Sequence, residues 1–162
     1  KMHNQSYRLL EFRMRECVFF GNHNDIMLIQ NKLLSFLKSF AFIFDLKSNL
    51  VPATDLFFGY RSAEKSDFQR KFASKIEVQV QTSETEKAIA IASVNRHGSH
   101  FSKQYTISLA DGSLASSLCV GLGFDRIVKL IHSALLKNGS TYLDKCIERI
   151  GQLTLVEAAN EL

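Results

Sequence analysis

The sequence predicts an α+β fold, a mainly antiparallel sheet flanked by helices. Three observations lead there. Residues 76–81 alternate strictly, with Ile76, Val78 and Val80 against Glu77, Gln79 and Gln81. A short loop at 83–86 joins them to a second apolar run, the pattern of an antiparallel hairpin, and the Asp111-Gly112 pair turns between two further strand-like runs. Long segments on either side carry apolar residues at helical spacing.

The elements follow in order. Residues 6–20 read as a strand closed by the turn Gly21-Asn22. Asp25 can cap the next helix, whose Leu33, Leu34, Leu37, Ala41 and Phe44 keep helical spacing. Residues 49–56 are extended because Pro52 disfavours a helix there, and Phe57-Phe58-Gly59 makes a loop. Residues 62–74 are polar and suit a short helix. After the hairpin strands at 76–81 and 88–94, "RHGSHFS" reads as a glycine-containing loop. "QYTISLADGSLASSLCVGLG" reads as strand, Asp-Gly turn and strand. "FDRIVKLIHSALL" is a helix, with Ile127, Leu130, Ile131 and Ala134 along one face, and further helix follows Gly139.

The chain of 162 residues suits one domain, residues 1–162, with a substantial core. Thirteen phenylalanines supply core material, and a single proline argues against long linkers. The net charge of +4 suits an anionic ligand such as a nucleotide but is too diffuse to mark a nucleic-acid surface. The three cysteines are an odd number without a secretory leader, which points to a reducing cytoplasm. The most apolar stretch, 26–44, is broken by Gln30, Asn31, Lys32, Ser35, Lys38 and Ser39, so it reads as a core helix and no membrane is expected.

Chemistry gathers on two strands. In residues 114–121 the side chains of Ala115, Ser117, Cys119 and Gly121 share one face, and all are small. Gly121 and Gly123 let the chain pass close to a ligand, and Arg126 falls in the first turn of the following helix, a place suited to phosphate. Plain sheet-to-helix packing accounts for a small-residue face as well, and a first-turn arginine is more often solvated. On the opening strand Phe12, Met14 and Glu16 share a face, while Arg13, Arg15 and Cys17 share the other. If the Phe12 face is also the Cys119 face, Glu16 and Cys119 are a plausible pair of zinc ligands, one short of the three that a catalytic zinc takes. Cys17 projects the wrong way to be the third, and Cys146 reads as a buried thiol in a late helix.

The segments "EFRMRECVFFG", "DLFFGYRS", "KIEVQV", "ASVNRHGSHF" and "SSLCVGLGFDRIVKL", in that order, resemble the C-terminal part of the class II aminoacyl-tRNA synthetase catalytic core. The resemblance runs from about Arg8 to Gly151 and is nearest to the zinc-dependent, seryl-tRNA-synthetase-like branch. Within that branch it is most similar to the amino acid:carrier protein ligases, which load an amino acid onto a phosphopantetheinylated carrier and lack a tRNA-binding domain. "GLGFDR" is similar to motif 3, and "FRMRE" to the second strand of motif 2. The resemblance implies that Arg126 holds the γ-phosphate of ATP, that Phe12 stacks on adenine, and that Glu16 and Cys119 are two of three zinc ligands. The zinc would bind the substrate's α-amino group. It would also offset the cost of placing Glu16 in an apolar strand. Lys75 and Glu77, and Ser93, Asn95 and His97, fall where the family lines its substrate site, although an exposed strand face or an ordinary loop would explain them as well.

The implied activity is ATP-dependent formation of an aminoacyl-adenylate from a small amino acid (glycine, alanine or serine), followed by transfer to the phosphopantetheine thiol of a carrier protein. Zn2+, ATP and Mg2+ are the implied cofactors, although "AIAIASVN" lacks the glutamate with which tRNA synthetases bind magnesium. A tRNA partner is not expected, and the complete protein would be a homodimer. Motif 1, the first strand of motif 2 and the first zinc cysteine belong upstream of "KMHNQSYRLLEF" and are not in these residues. Two alternatives stand beside this reading: a zinc-type seryl-tRNA synthetase, and a non-catalytic paralogue serving as a binding or regulatory module.

Overall fold

The structure, a computed structural model, describes residues 11–53, 63, 64, 67, 74–81 and 88–160, with backbone only from 153 onward. The expected loop at 57–59, most of the polar stretch at 62–74 and the hairpin loop at 83–86 lie outside the described residues, although Ala63, Glu64 and Asp67 are helical.

Among the described residues, five strands form one fully antiparallel sheet: β1 (Met14–Gly21), β2 (Ser48–Pro52), β3 (Lys75–Val80), β4 (Ile89–Gly98) and β5 (Ser116–Gly123), in the spatial order β1-β5-β4-β3-β2. The expected hairpin is β3 with β4. The last strand in the chain is inserted between β1 and β4, which brings the two chemistry-bearing strands side by side.

Helix α1 (His23–Ile43) is capped by Asn22, whose side-chain oxygen accepts from the Asp25 backbone N–H at 2.9 Å, so Asp25 supports the cap without being it. Its buried residues Ile26, Leu37 and Ala41 pack with Val78, Val80, Ala92, Val94, Leu118 and Val120 from one sheet face. Ile127 and Leu130 of α3 (Phe124–Asn138) join the same core. By length and composition α1 could span a bilayer; one side of it packs on the sheet, while Leu28, Phe36 and Phe42 on the rest are exposed. Helix α4 (Ser140–Asn160) docks on the end of α1. There Tyr142 donates to the Phe44 carbonyl at 2.9 Å, and the Arg149 guanidinium meets the Asp45 carboxylate at 2.8 Å and covers the Phe42 ring. Burial, followed by the neighbouring Cys146, pushes the Tyr142 hydroxyl well above its ordinary range.

Two expectations need correction. The run at 104–110 is not a strand. Residues 100–105 form a short helix, α2 (His100–Tyr105), and only a single bridge, Ser108 to Leu114, remains of the expected hairpin around Gly112. The buried Ser102 hydroxyl donates to the Ala115 carbonyl and pins α2 to the chain entering β5. The opening strand is also not buried. Among the described residues β1 is the edge of the sheet, and Met14, Glu16, Cys17, Val18 and Phe20 are exposed. Glu16 therefore pays no burial penalty for a cation to offset.

Candidate functional site

The sheet face opposite α1 carries a group of polar side chains, and the register shows which residues share it. Across the strands, Glu77 on β3 lies opposite Ser93 on β4, Ser93 opposite Gly121 on β5, and Gly121 opposite Glu16 on β1. One step along, Lys75 lies opposite Asn95, Asn95 opposite Cys119, and Cys119 opposite Val18. Directly paired residues in an antiparallel sheet project to the same side. Glu16, Lys75, Glu77, Ser93, Asn95 and Cys119 therefore occupy one floor contributed by four strands.

Gly121 is the low point of this floor. A Cβ there would come within 2.9 Å of Met14 Cε and 3.4 Å of Glu16 Oε1, so the Glu16 carboxylate lies over the space that the missing side chain leaves. Toward β3 the carboxylate of Glu77 accepts from Gln79 Nε2 at 2.9 Å and has Lys75 Nζ at 4.0 Å. Gln79, which alternation places beside Glu77, belongs to the site on this geometry.

Cys119 is half-buried and sits among hydrogen-bonding groups. Asn95 Nδ2 donates to its sulfur at 3.4 Å, and His97 Nε2 lies 3.3 Å from the same atom. The sequence placed His97 in a loop. It is instead the extra residue of a β-bulge, since β4 advances from Arg96 to Gly98 while β5 advances by one residue, from Leu118 to Ser117. Gly98 takes a φ of +54°, which favours glycine, and the His97 ring packs on Phe101 of α2 at 4.7 Å.

At the other end of β5, Arg126 sits in the first turn of α3. Its Nη1 donates to the Ala90 carbonyl at 2.9 Å, and its guanidinium lies 4.7 Å from the centre of the Phe12 ring. Phe12 is held there by its neighbour. The Arg13 backbone N–H donates to Asp125 Oδ2 at 2.7 Å, Arg13 Nε reaches Oδ1 at 3.2 Å, and the Phe124 N–H donates to the Arg13 carbonyl at 3.0 Å. The Arg13 backbone N–H, more than its charge, holds the Asp125 carboxyl below the usual carboxylate range. Gly123 precedes this turn, and a Cβ on it would approach the Ile91 carbonyl to 3.3 Å.

Zinc is a separate matter. Glu16, Cys119 and His97 have the donor chemistry that zinc favours. Among the described residues, however, no three His, Cys, Asp or Glu side chains are grouped closely enough to hold a metal ion. The described residues thus do not make a complete zinc site, and no chemical step below passes through a metal. Cys17 faces away from the floor, opposite Val120, and Cys146 is a buried thiol.

The architecture and part of the sequence are shared with known proteins. Amino acid–acyl-carrier-protein ligase 1 of Bradyrhizobium diazoefficiens is 31% identical over 127 residues, which are 78% of this chain and 39% of the ligase. Ligase 2 of the same organism is 30% identical over 127 residues, 78% of this chain and 38% of that protein. The chain thus spans about two fifths of the length of these curated relatives. Among solved structures, one of M. kandleri SerRS in complex with A. aeolicus tRNASec superimposes with a TM-score of 0.64 at 21% identity, covering 90% of this chain and 29% of that one. It shares the fold, which is that of a class II synthetase core. No protein-family model matches the chain.

Proposed function

We propose that this chain, a homologue of the amino acid–acyl-carrier-protein ligases with a class II synthetase-like fold, is part of an adenylate-forming ligase. One observation carries the reading: four strands place Glu16, Lys75, Glu77, Ser93, Asn95 and Cys119 on one open face, with the Phe12–Arg126 pair at its end. On that face we place the amino acid at the Cys119 side and the nucleotide at the Arg126 side.

In the reaction we assign, the amino acid carboxylate attacks the α-phosphorus of ATP. A phosphoanhydride bond breaks, pyrophosphate leaves, and an aminoacyl-adenylate forms. The thiol of a carrier's phosphopantetheine arm then attacks the acyl carbon, a thioester forms, and AMP leaves. Arg126 stabilises phosphate charge, and Phe12 offers its ring face to adenine. Met14 and Glu16 close over the space that Gly121 leaves, and the substrate we assign is a small amino acid, glycine, alanine or serine. Glu16 and Cys119 are the two described side chains we assign to zinc, with a third donor outside the described residues. Bound there, the metal would supply an anchor for the substrate amine. We assign no described residue to Mg2+. The full-length enzyme would work as a cytoplasmic homodimer without tRNA.

The test is amino-acid-dependent ATP–pyrophosphate exchange by the full-length protein, together with mass spectrometry of a phosphopantetheinylated carrier protein. Exchange and a carrier heavier by one aminoacyl group are the expected result. Arg126→Ala should slow exchange at least about tenfold, since a charge-assisted phosphate contact contributes roughly 1.5–3 kcal/mol. Aminoacylation of tRNA instead of the carrier would overturn the assignment, as would exchange by Arg126→Ala at the unmutated rate. Metal analysis tests the zinc separately: about one ion per chain, lost in Cys119→Ala and in Glu16→Ala.

A further inference from the structure

The short helix α2 carries rings that lead away from the floor. The series starts at His97, whose ring nitrogen lies 3.3 Å from the Cys119 sulfur. That ring packs on Phe101 at 4.7 Å between centroids, and Phe101 stacks with Tyr105 at 6.4 Å and 28°. His100 meets the same Phe101 ring at 5.3 Å. Tyr105 ends the strip in solvent, 64% exposed. The spacing explains its direction: Phe101 and Tyr105 are four apart and share one face of the helix, while the buried Ser102 bonds to Ala115 at the entry to β5.

What the strip suits follows from its place and its charge. Arg126, where we put the nucleotide, follows the end of β5; α2 is pinned at its start, and the eight residues of the strand separate them. An acyl acceptor that approaches along the sheet without displacing the nucleotide comes from the α2 end. Ring faces suit a slender chain of methyl and flat amide groups. They do not make a protein interface by themselves, since a specific one buries about 800 Å² on each side, far more than one short helix offers. No Asp or Glu occurs from residue 87 to 110, a stretch that holds Arg96, His100 and Lys103, and the last two are exposed. Asp111, the next carboxylate, accepts from the Ser113 N–H and hydroxyl. A phosphodiester at the outer end of a slender chain meets positive charge here.

We propose that the Phe101–Tyr105 face of α2 is the track for the phosphopantetheine arm of the acyl acceptor, its amides against the rings and its phosphate toward Lys103. This rests on the reading of the chain as part of a carrier-loading ligase and adds to it the route by which the acceptor enters. The thiol at the end of the arm arrives beside His97. Its sulfur bonds to the acyl carbon, the acyl–phosphate bond breaks, AMP leaves with the electron pair, and the thiol proton passes to water.

The experiment uses the full-length protein and separates two half-reactions. One is ATP–pyrophosphate exchange, which needs no acceptor; the other is aminoacylation of a phosphopantetheinylated carrier, with free pantetheine as a competitor. Tyr105→Ala should raise KM for the carrier and Ki for pantetheine together, each about three- to tenfold, the range of one lost aromatic contact. Exchange should stay within about twofold of wild type, and Tyr105→Phe, which keeps the ring, should match wild type throughout. Lys103→Glu should raise KM for the carrier at least about fivefold and leave Ki for pantetheine unchanged, because pantetheine has no phosphate. Both residues are exposed, so neither change threatens the fold. No rise in Tyr105→Ala overturns the track. A rise for the carrier alone, or pantetheine that does not compete in wild type, puts α2 against the body of the carrier and overturns the arm assignment. Exchange that falls as far as transfer makes Tyr105 part of the first step or of the fold, and overturns it too. Each of these leaves the ligase reading standing, whereas a wild type with no amino-acid-dependent exchange overturns both.

Discussion

At the scale of single residues, the site depends on side chains that are missing as much as on those present. Gly121 is paired between Ser93 and Glu16, and it is the absence of a Cβ that lets the Glu16 carboxylate lie over β5. The contacts that a side chain would make are with the tip of Met14 and the end of Glu16, both flexible and on an exposed strand, so the fold can yield there. Gly121→Val is therefore expected to move Tm by no more than about 2–4 °C, the equivalent of roughly 1 kcal/mol. It should nonetheless slow amino-acid-dependent exchange at least about tenfold, because it displaces a site carboxylate and fills the floor. Thermal melting and pyrophosphate exchange on one preparation check both halves. Much of this site could be read in advance. The shared parity of Phe12, Met14 and Glu16, and the small residues around Cys119, follow from alternation alone. The contact between His97 and Cys119 does not, because a bulge breaks the alternation and its glycine reads equally well as a loop.

At the scale of elements, an ionic clasp ties the residues before β1 to the start of α3. Asp125 accepts from the Arg13 backbone N–H and from its guanidinium, beside the N-terminus of a helix, where a negative charge is favoured. The folded Asp125 carboxyl is more acidic than its unfolded counterpart, chiefly through that backbone hydrogen bond. The sign follows: the clasp contributes fully above the ordinary aspartate range, near pH 4, and is lost as pH falls through the lower folded value. Hydrogen-exchange protection of the Arg13 and Phe124 amides should hold from pH 7 to about 5 and decline below about 4. In Asp125→Asn it should be weak throughout and insensitive to acid. Loss of the clasp also frees Phe12 from Arg126, so the same variant should raise KM for ATP. The hairpin β3–β4 and the helices were legible because their signals are local, period 2 or period 3.6 within one stretch. Residues 104–110 were misread because Tyr105, Ile107 and Leu109 alternate like a strand, while the deciding contact, Ser102 with Ala115, joins residues far apart in that stretch.

At the scale of the whole molecule, the sheet ends at β1, which leaves one side of an eight-residue strand without a neighbour among the described residues. Met14, Val18 and Phe20 on its site face are 46%, 53% and 44% exposed, enough apolar surface on an open edge to invite pairing with another strand. A polypeptide of these 162 residues should therefore associate as its concentration rises. Phe20→Lys, a charge on the edge, should shift it toward monomer without loss of secondary structure. Sedimentation velocity across a concentration series with circular dichroism reads both outcomes, and a wild type that stays monomeric at every concentration would contradict this view of the edge.

What the sequence determined by itself is the kind of each principal element and the side on which its residues stand, because strand alternation and helical spacing are set within a few residues of backbone. It carried the resemblance that named Glu16, Cys119 and Arg126 together. What only the tertiary structure decided is which strands are neighbours, in what register, and which is left at the edge. Inserting β5 between β1 and β4 pairs residues about a hundred positions apart, and such a pairing is decided by the core beneath it: Leu118 and Val120 fit under α1 only when Cys119 and Gly121 face the other way. The same insertion leaves Glu16 exposed at the edge of the described sheet, where its apolar neighbours had suggested burial, and leaves the Asn95 side-chain carbonyl without a donor among the described residues. Exposure and hydrogen-bond satisfaction depend on every segment that packs nearby, so they are properties of the assembled fold.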